Sequence, residues 1–295
     1  MLRKIAQRLE QRKERSIGTR PYQPLEHRAD PAISIWKEAL CGIDYFLLYS
    51  SPVYYGVDVP AGDGSAVVVI PGFLESDSLL RGVHSWLRRI GYRPYLSGIE
   101  LNAQCPNLLI QDRLMQTIEK AVAETGRRIH LIGHSLGGVI AHSLAVQRPD
   151  DIASVITLGS PIRGTVVQRD VFSMAEGVRK RILKEHSHRV SPNCYTPHCN
   201  CEFSKSLRRR TPASVVQTAI YTCNDGVVDW RYCLSEVPEN NFEVPGTHLG
   251  LLFNQSVYKI IGKRLHNAGI VKTARSRRTP RCHREPAAHH IAATP

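Results

Sequence analysis

Ser135 lies at the centre of the glycine-rich run GHSLGG, residues 133–138. A serine hydroxyl is a poor nucleophile until a base removes its proton, and it must stand clear of the backbone to reach a carbonyl carbon. A sharp turn from a strand into a helix provides that exposure, and glycines two residues before and after the serine leave room for it. An apolar strand pattern at 129–132 precedes the serine and a helical pattern follows it. This context predicts that Ser135 is the nucleophile of an acyl-transfer reaction.

An acid and a base follow the serine in chain order. Asp225 lies in an Asn-Asp-Gly turn after a strand pattern that ends at Thr222, and His248 lies in a Gly-Thr-His sequence after a further short strand. An imidazole would take the serine proton, and a carboxylate would hold the imidazole in the correct tautomer. Asp229 is the alternative acid. We expect Asp225 because it lies directly at the end of the strand.

Two backbone N–H groups are predicted to hold the oxyanion of the tetrahedral intermediate. The N–H of Leu136 opens the helix after the serine, where the helix dipole favours negative charge. The second donor should come from the turn after the apolar run 67–70. Phe73 is the expected residue there, and Leu74 is the alternative if the turn is shifted by one residue.

Strand-like and helical patterns alternate along the chain, which predicts an α/β fold with a mostly parallel central sheet flanked by helices. We expect strands at 67–70, 93–96, 129–132, 153–158, 215–222 and 242–244, and helices at 79–90, 108–124, 139–147 and 257–265. The segment 165–212 belongs to none of these repeats and is predicted to be an insertion.

These segments together resemble the bacterial lipases and esterases of the α/β-hydrolase superfamily. The resemblance covers about residues 65–266 and rests on VIPGF at 69–73, HLIGHSLGG at 130–138, TLGSP at 157–161, DGVV at 225–228 and GTH at 246–248. It implies an α/β-hydrolase fold with Ser135 as nucleophile, Asp225 as acid, His248 as base, and backbone donors at Phe73 and Leu136. It also implies lipid-like or small acyl esters as substrates. We expect neither a cofactor nor a metal ion.

Two other functions are compatible with the same pattern. An acyltransferase or thioesterase would use the same three residues with a different acceptor or leaving group. A non-catalytic binding protein could keep the fold, but the intact order of serine, acid and histidine argues against it.

The insertion 165–212 falls where such enzymes place a cap over the serine. Its apolar positions at helical spacing would face an acyl chain or pack permanently on the body; they are Val171, Phe172, Met174, Val178, Ile182 and Leu183. Five cysteines lie in or near this region: Cys194, Cys199, Cys201, Cys223 and Cys233. Free thiols or loop-pinning disulfides are expected over zinc, because the spacing matches no paired C-x₂-C arrangement.

The formal net charge of +13 is concentrated at the two ends of the chain. We therefore divide the chain into a basic leader at 1–30, either flexible or a surface amphipathic helix, a hydrolase domain at 31–271, and a basic flexible tail at 272–295. The basic segments predict peripheral contact with an anionic membrane, and they carry no motif for specific nucleic-acid binding. The sequence shows neither an apolar run long enough to span a bilayer nor a signal-peptide core after Met1, so a cytoplasmic location is expected.

Overall fold

The central sheet orders the rest of the molecule. The computed structural model describes residues 26–276. The strands of this part are β1 (His27–Asp30), β2 (Ala66–Ile70), β3 (Arg93–Leu96), β4 (Ile129–His134), β5 (Ile152–Leu158), β6 (Thr165–Gln168), β7 (Val216–Tyr221) and β8 (Asn241–Glu243). Six of them form one sheet in the order β3-β2-β4-β5-β7-β8, and every neighbouring pair is parallel.

The middle strands of the sheet are buried along their whole length. In β2, β4 and β5 every residue is buried. Strands covered on both faces are expected to be continuous apolar runs rather than alternating ones, which is why Val67, Val68 and Val69 can follow one another here.

Helices cover both faces of the sheet. They are α1 (Cys41–Tyr49), α2 (Arg81–Arg89), α3 (Pro106–Leu109), α4 (Met115–Thr125), α5 (Leu136–Gln147), α6 (Arg169–Glu185), α7 (Glu202–Ser206) and α8 (Gln255–Ser276). Shorter 3-10 turns lie at Ile35–Leu40, Pro52–Tyr55, Trp230–Cys233, Pro238–Asn240 and Leu249–Phe253, and a π-helical turn lies at Ile110–Leu114.

Two separate hydrophobic cores result from this layering. On one face, Trp86 of α2 and Tyr258 of α8 pack with Val67 and Val69 of the central strand. On the other face, α4 and α5 pack against the alternate residues of the same strand, including Val68. Successive side chains of a strand point to opposite faces, so a single valine run supplies both cores.

The predicted fold class is confirmed, and each predicted strand of the central sheet has a counterpart. The structure differs from the prediction in helix lengths. The helix expected at 108–124 is divided by the π-helical turn at Ile110–Leu114, and the last helix continues to Ser276, past the predicted end of the domain at 271. Apolar periodicity marks the buried face of a helix but not a local change of pitch or an end without a breaker residue.

The sequence analysis did not predict a small second sheet. Strand β1, at the end of the predicted basic leader, pairs in parallel with β6, the first element of the insertion 165–212. Neither segment has the alternating pattern of a strand, and the partners lie far apart in sequence. The earlier part of the leader and the residues after Ser276 lie outside the described residues, so the domain division stays a prediction.

No helix in the described range is long and apolar enough to cross a membrane.

Replacing Trp86 with alanine should destabilise the fold strongly. The indole is fully buried and its Nε1–H donates to the carbonyl of Val53 at 3.0 Å. We expect a loss of about 3–5 kcal/mol in the free energy of unfolding, because the change leaves both a cavity and an unpaired carbonyl. Urea unfolding measures this. The matched control Val237→Ala, at an exposed side chain, should change stability by less than about 0.5 kcal/mol; similar losses in both variants would contradict the packing described here.

Candidate active site

The backbone at Ser135 is strained. Ser135 lies between β4 and α5 with φ 49° and ψ −123°, a conformation that L-amino acids rarely adopt. The turn reverses the chain from the sheet edge into the helix, so the serine lies at the carboxyl end of the central strands. This is the geometry that the GHSLGG run predicts for an exposed nucleophile.

The glycines around Ser135 are required by close approach of backbone to backbone. A Cβ on Gly133 would lie 2.4 Å from the carbonyl of Gly137, and a Cβ on Gly137 would lie 2.2 Å from the carbonyl oxygen of Ile70. Both separations are far inside van der Waals contact. The two flanking glycines therefore allow helix α5 to begin directly against the central strands.

Asp225 and His248 are brought together from two loops at the same edge of the sheet. His248 Nδ1 lies 2.7 Å from Asp225 Oδ2, and both side chains are buried. The other oxygen of Asp225 accepts the backbone N–H groups of Val227 and Val228, each at 2.8 Å. A carboxylate held in this way favours the tautomer with the proton on Nδ1, which leaves Nε2 of His248 free to act as a base.

Asp229, the alternative acid, is engaged elsewhere. Its carboxylate accepts the backbone N–H of Arg231 at 3.0 Å and the guanidinium of the same residue at 3.2 Å. These bonds cap the 3-10 turn at Trp230–Cys233. The geometry thus pairs the histidine with Asp225 and assigns Asp229 a local structural role.

The charges around His248 favour its protonated form. Burial by itself would lower the pKa of His248, but the negative charge of Asp225 and the hydrogen bond to it raise that pKa above its ordinary value, with further contributions from Glu38 and Glu75. A base with a raised pKa takes up a proton more readily in the transition state.

The predicted oxyanion donors lie beside the serine. A Cβ on Gly72 would be 3.0 Å from Ser135 Cβ, so the turn after β2 touches the nucleophile. Within residues 26–276, the N–H groups of Phe73 and Leu136 donate to no protein acceptor, whereas the N–H of Leu74 donates to the carbonyl of Asn102 at 2.9 Å. The geometry therefore favours Phe73 over Leu74 as the second donor.

A buried Glu75–His134 pair beneath the serine was not predicted from the sequence. His134 Nδ1 lies 2.8 Å from Glu75 Oε1, and His134 Nε2 donates to the carbonyl of His248 at 3.0 Å. Glu75 also accepts the N–H of Gly72 at 2.6 Å. Burial alone would raise the pKa of Glu75, but the charge of His134 and these hydrogen bonds lower it. The pair links the turn after β2 to the histidine loop.

Glu38, also absent from the predicted site, is buried under the acid and histidine loops. Its carboxylate accepts three backbone N–H groups, those of Gly226, His248 and Leu249. No motif marks this residue, because it lies in an irregular segment far from the loops in sequence. Only a search for acidic residues flanked by apolar ones, as in the IWKEAL run at 35–40, would have drawn attention to it.

A largely apolar cavity of about 400 Å³ opens beside these residues. Its wall includes Ser135, His248, and the backbone donors Phe73 and Leu136. Pockets of this size and character bind small or drug-sized ligands, with a few polar groups to orient them. The nucleophile, the histidine and the two donor groups thus face one space that suits an acyl chain.

The insertion 165–212 supplies part of the cavity wall. Val171 and Met174 of α6 line it, as predicted. In contrast, Val178, Ile182 and Leu183 pack in a separate cluster with Leu108 and other residues. Helix α6 therefore combines the two alternatives that the sequence left open, because part of it lines the cavity and another part packs on the body of the domain. A capping role of the insertion stays a prediction.

Four cysteines also line the cavity. They are Cys105, Cys194, Cys199 and Cys201. All the cysteines in the described part are free thiols, and the Sγ atoms of Cys199 and Cys201 lie 3.4 Å apart. No group of three or more His, Cys, Asp or Glu side chains among residues 26–276 is arranged to hold a metal ion.

Comparison with known proteins finds partial similarity to one domain family and to several lipases. Residues 100–201 match the model of a PGAP1-like alpha/beta domain family. Triacylglycerol lipase from Burkholderia plantarii is 29% identical over 136 residues, which are 43% of this chain and 37% of the relative. Triacylglycerol lipase from Vibrio cholerae is 28% identical over 133 residues, 41% of this chain and 42% of the relative. The chain is thus similar, over about two fifths of its length, to triacylglycerol lipases.

The similarity is partial in each case. Triacylglycerol lipase from Pseudarthrobacter phenanthrenivorans is 30% identical over 37% of this chain and 36% of its own length. The matched regions thus span about two fifths of the curated relatives. Among solved structures, Paleococcus ferrophilus monoacylglycerol lipase aligns with a TM-score of 0.46 and 15% identity, over 70% of this chain and 97% of that one.

The electrostatic pairing of His248 can be tested by NMR titration. Asp225→Asn removes the carboxylate that most strongly favours the imidazolium, so the pKa of His248 should fall. Asp229→Asn is the matched control and should leave the titration unchanged. The His248 signal is assigned with a His248→Gln variant. An equal fall in both variants would contradict the assignment of Asp225 as the partner.

Proposed function

We propose that this chain is an α/β-hydrolase, a serine esterase that hydrolyses lipid-like carboxylic esters through Ser135, Asp225 and His248. The observation that carries the proposal is the buried Asp225–His248 hydrogen bond at 2.7 Å, beside an apolar cavity that Ser135 also lines. The similarity to triacylglycerol lipases supports the same reaction class.

The proposed reaction has two halves. His248 Nε2 removes the proton of Ser135, whose Oγ attacks the ester carbonyl, and the N–H groups of Phe73 and Leu136 stabilise the oxyanion. Collapse of the intermediate breaks the ester C–O bond, and His248 returns the proton to the leaving alcohol. Water then attacks the acyl-enzyme with the same base and releases the acid. Asp225 keeps the proton on Nδ1 and stabilises the imidazolium throughout.

The shape of the site favours a substrate with an apolar acyl chain. The cavity wall beyond the reacting groups is built from side chains such as Val139, Val171 and Leu207. Burial of methylene groups against such a wall contributes about 0.8 kcal/mol each to binding. Longer acyl chains should therefore be preferred up to the limit of the cavity volume.

Ser135→Ala should abolish hydrolysis of p-nitrophenyl acyl esters while leaving the fold intact, because it removes only the attacking oxygen. Rates over a series of acyl-chain lengths and thermal melting curves measure both effects. Wild type should also react with a fluorophosphonate probe and the variant should not. Unchanged turnover in Ser135→Ala would overturn the proposed function.

The same assay identifies which substrates donate the acyl group and whether water or an alcohol accepts it. Products are analysed with ester and thioester substrates, with and without added alcohols. A dominant transesterified product would identify an acyltransferase, and a strong preference for the thioester would identify a thioesterase. Free acid from oxygen esters is the result that we expect.

We further propose that the chain docks peripherally on an anionic lipid surface beside the cavity mouth. Helix α1 presents Ile43, Phe46 and Leu47 to solvent, and Trp36, in the turn before it, is 84% exposed. Ile35 of the same turn lines the cavity, so this apolar face is continuous with the mouth. The chain before Glu26 is basic, and Glu26 also lines the cavity. A surface that combines apolar insertion with cationic attraction suits an anionic bilayer.

Trp36 is a built-in reporter of this docking. Addition of phosphatidylglycerol-containing vesicles should shift tryptophan emission to the blue, because Trp86 is already buried and Trp36 is not. Trp36→Ser combined with Phe46→Ser should reduce co-sedimentation with the vesicles, whereas the control Val237→Ser, at an exposed side chain outside this face, should not. Binding should weaken in high salt. Unshifted emission at saturating lipid would rule out this surface.

A further inference from the structure

Glu38 connects two loops that are separate in the chain. Its Oε1 accepts the N–H of Gly226 at 2.9 Å and the N–H of His248 at 3.0 Å, and its Oε2 accepts the N–H of Leu249 at 2.8 Å. The first loop carries the acid and the second carries the base. A carboxylate has only acceptor sites, so it can meet all three donors at once.

The contact between Glu38 and Gly226 depends on the absence of a side chain on the glycine. A Cβ on Gly226 would lie 2.7 Å from Glu38 Oε1 and 2.8 Å from the carbonyl oxygen of Ser34. Gly226, the residue after Asp225, therefore leaves room for the Glu38 carboxylate. The Asn-Asp-Gly turn alone does not require a glycine at this position. Glu38 is itself buried, and its side chain contributes to the cavity wall.

The position of Glu38 makes it relevant to chemistry as well as to folding. It binds the residue next to Asp225 and the backbone of His248 itself, so any displacement acts on both ends of the 2.7 Å hydrogen bond between them. Its negative charge is also one of those that raise the pKa of His248. No ion pair with a lysine or arginine of the described chain offsets that charge.

We propose that Glu38 is a positioning residue for the reaction: it holds the Asp225 loop and the His248 loop at a fixed separation and supplies negative charge beside the imidazole. The inference rests on the proposed function of Ser135, Asp225 and His248. It extends the site to the segment before the central sheet, outside the range in which the sequence resembles lipases.

The pH dependence of the reaction distinguishes positioning from simple structural support. The groups that face His248 are Asp225, Glu38, Glu75 and the imidazole of His134. The base must be neutral in the free enzyme, so kcat/KM rises as pH passes through the pKa of His248. Removal of the Glu38 charge lowers that pKa and moves the acid limb to lower pH.

The experiment compares Glu38→Gln, Glu38→Asp and the control Lys37→Gln, using p-nitrophenyl ester hydrolysis over a range of pH. Glu38→Gln cannot accept all three N–H groups, so we expect kcat to fall by about tenfold to a hundredfold with little change in KM. Its acid limb should shift to lower pH. Glu38→Asp keeps the charge and should retain the acid limb near the wild-type position although its kcat falls. Lys37→Gln, an exposed side chain on the same turn, should match wild type in both respects.

Two outcomes would overturn the inference. One is wild-type kcat and an unshifted acid limb in a folded Glu38→Gln protein. The other is an equal loss of kcat at every pH in all Glu38 variants, which is the outcome that a purely structural role predicts. NMR titration of His248 in the same variants needs no turnover, and Glu38→Asp supplies a second protein if Glu38→Gln melts early. If Ser135→Ala stays active while the His248 titration still responds to Glu38, the proposed function fails and the positioning does not.

Discussion

The left-handed backbone of Ser135 is the constraint around which the described structure is arranged. A serine at φ 49° and ψ −123° is held there only if strand, helix and neighbouring loops leave it no relaxed alternative. The β4–α5 junction achieves this through glycines so close to neighbouring backbone that a single Cβ would clash. The turn after β2 then reaches the serine because a glycine faces it as well. The strained backbone of Ser135 thus sets how closely β4, α5 and the turn after β2 approach one another.

Three carboxylates converge on the buried histidines beneath this turn. Asp225 binds His248 directly, Glu75 binds His134, and Glu38 binds the backbone of both the Asp225 loop and the His248 loop. Burial of ionised groups is costly unless each is paired and hydrogen-bonded, and here every carboxylate meets either an imidazole or several N–H groups. The resulting network gives the site its rigidity and its electrostatic character together.

The cavity contrasts with this network of carboxylates and imidazoles. Its wall is mostly apolar, and exposed apolar side chains at its rim, including Leu74 and Met174, continue it towards the solvent. Ser135, His248 and the two predicted oxyanion donors are part of this wall, together with other polar side chains such as His27 and Thr196. Under the proposed function, an ester would place its carbonyl at Ser135 and its acyl chain along the apolar side chains of the wall.

An element could be predicted from the sequence where neighbouring residues specify it, and not where it depends on contacts between residues far apart in the chain. The valine run of β2, the GHSLGG turn and the Asp-Gly and Gly-Thr-His turns are local signals, since apolar strands and glycine-dependent turns are encoded by adjacent residues. They were enough to predict the α/β sheet and the residues that now stand together. The parallel pairing of β1 with β6 and the π-helical turn in the helix at 108–124 had no such local signal.

What the sequence determined by itself was therefore the set of chemically competent residues and their order on a parallel sheet. The sequence favoured Asp225, at the end of a strand, but left Asp229 as an alternative. Tertiary structure separated the two, because the loop turns Asp225 towards His248 and Asp229 towards Arg231. It also decided that Glu38 and Glu75 belong to the site. Their hydrogen bonds cross long stretches of chain, and no pattern of neighbouring residues encodes a contact that exists only after the sheet has formed.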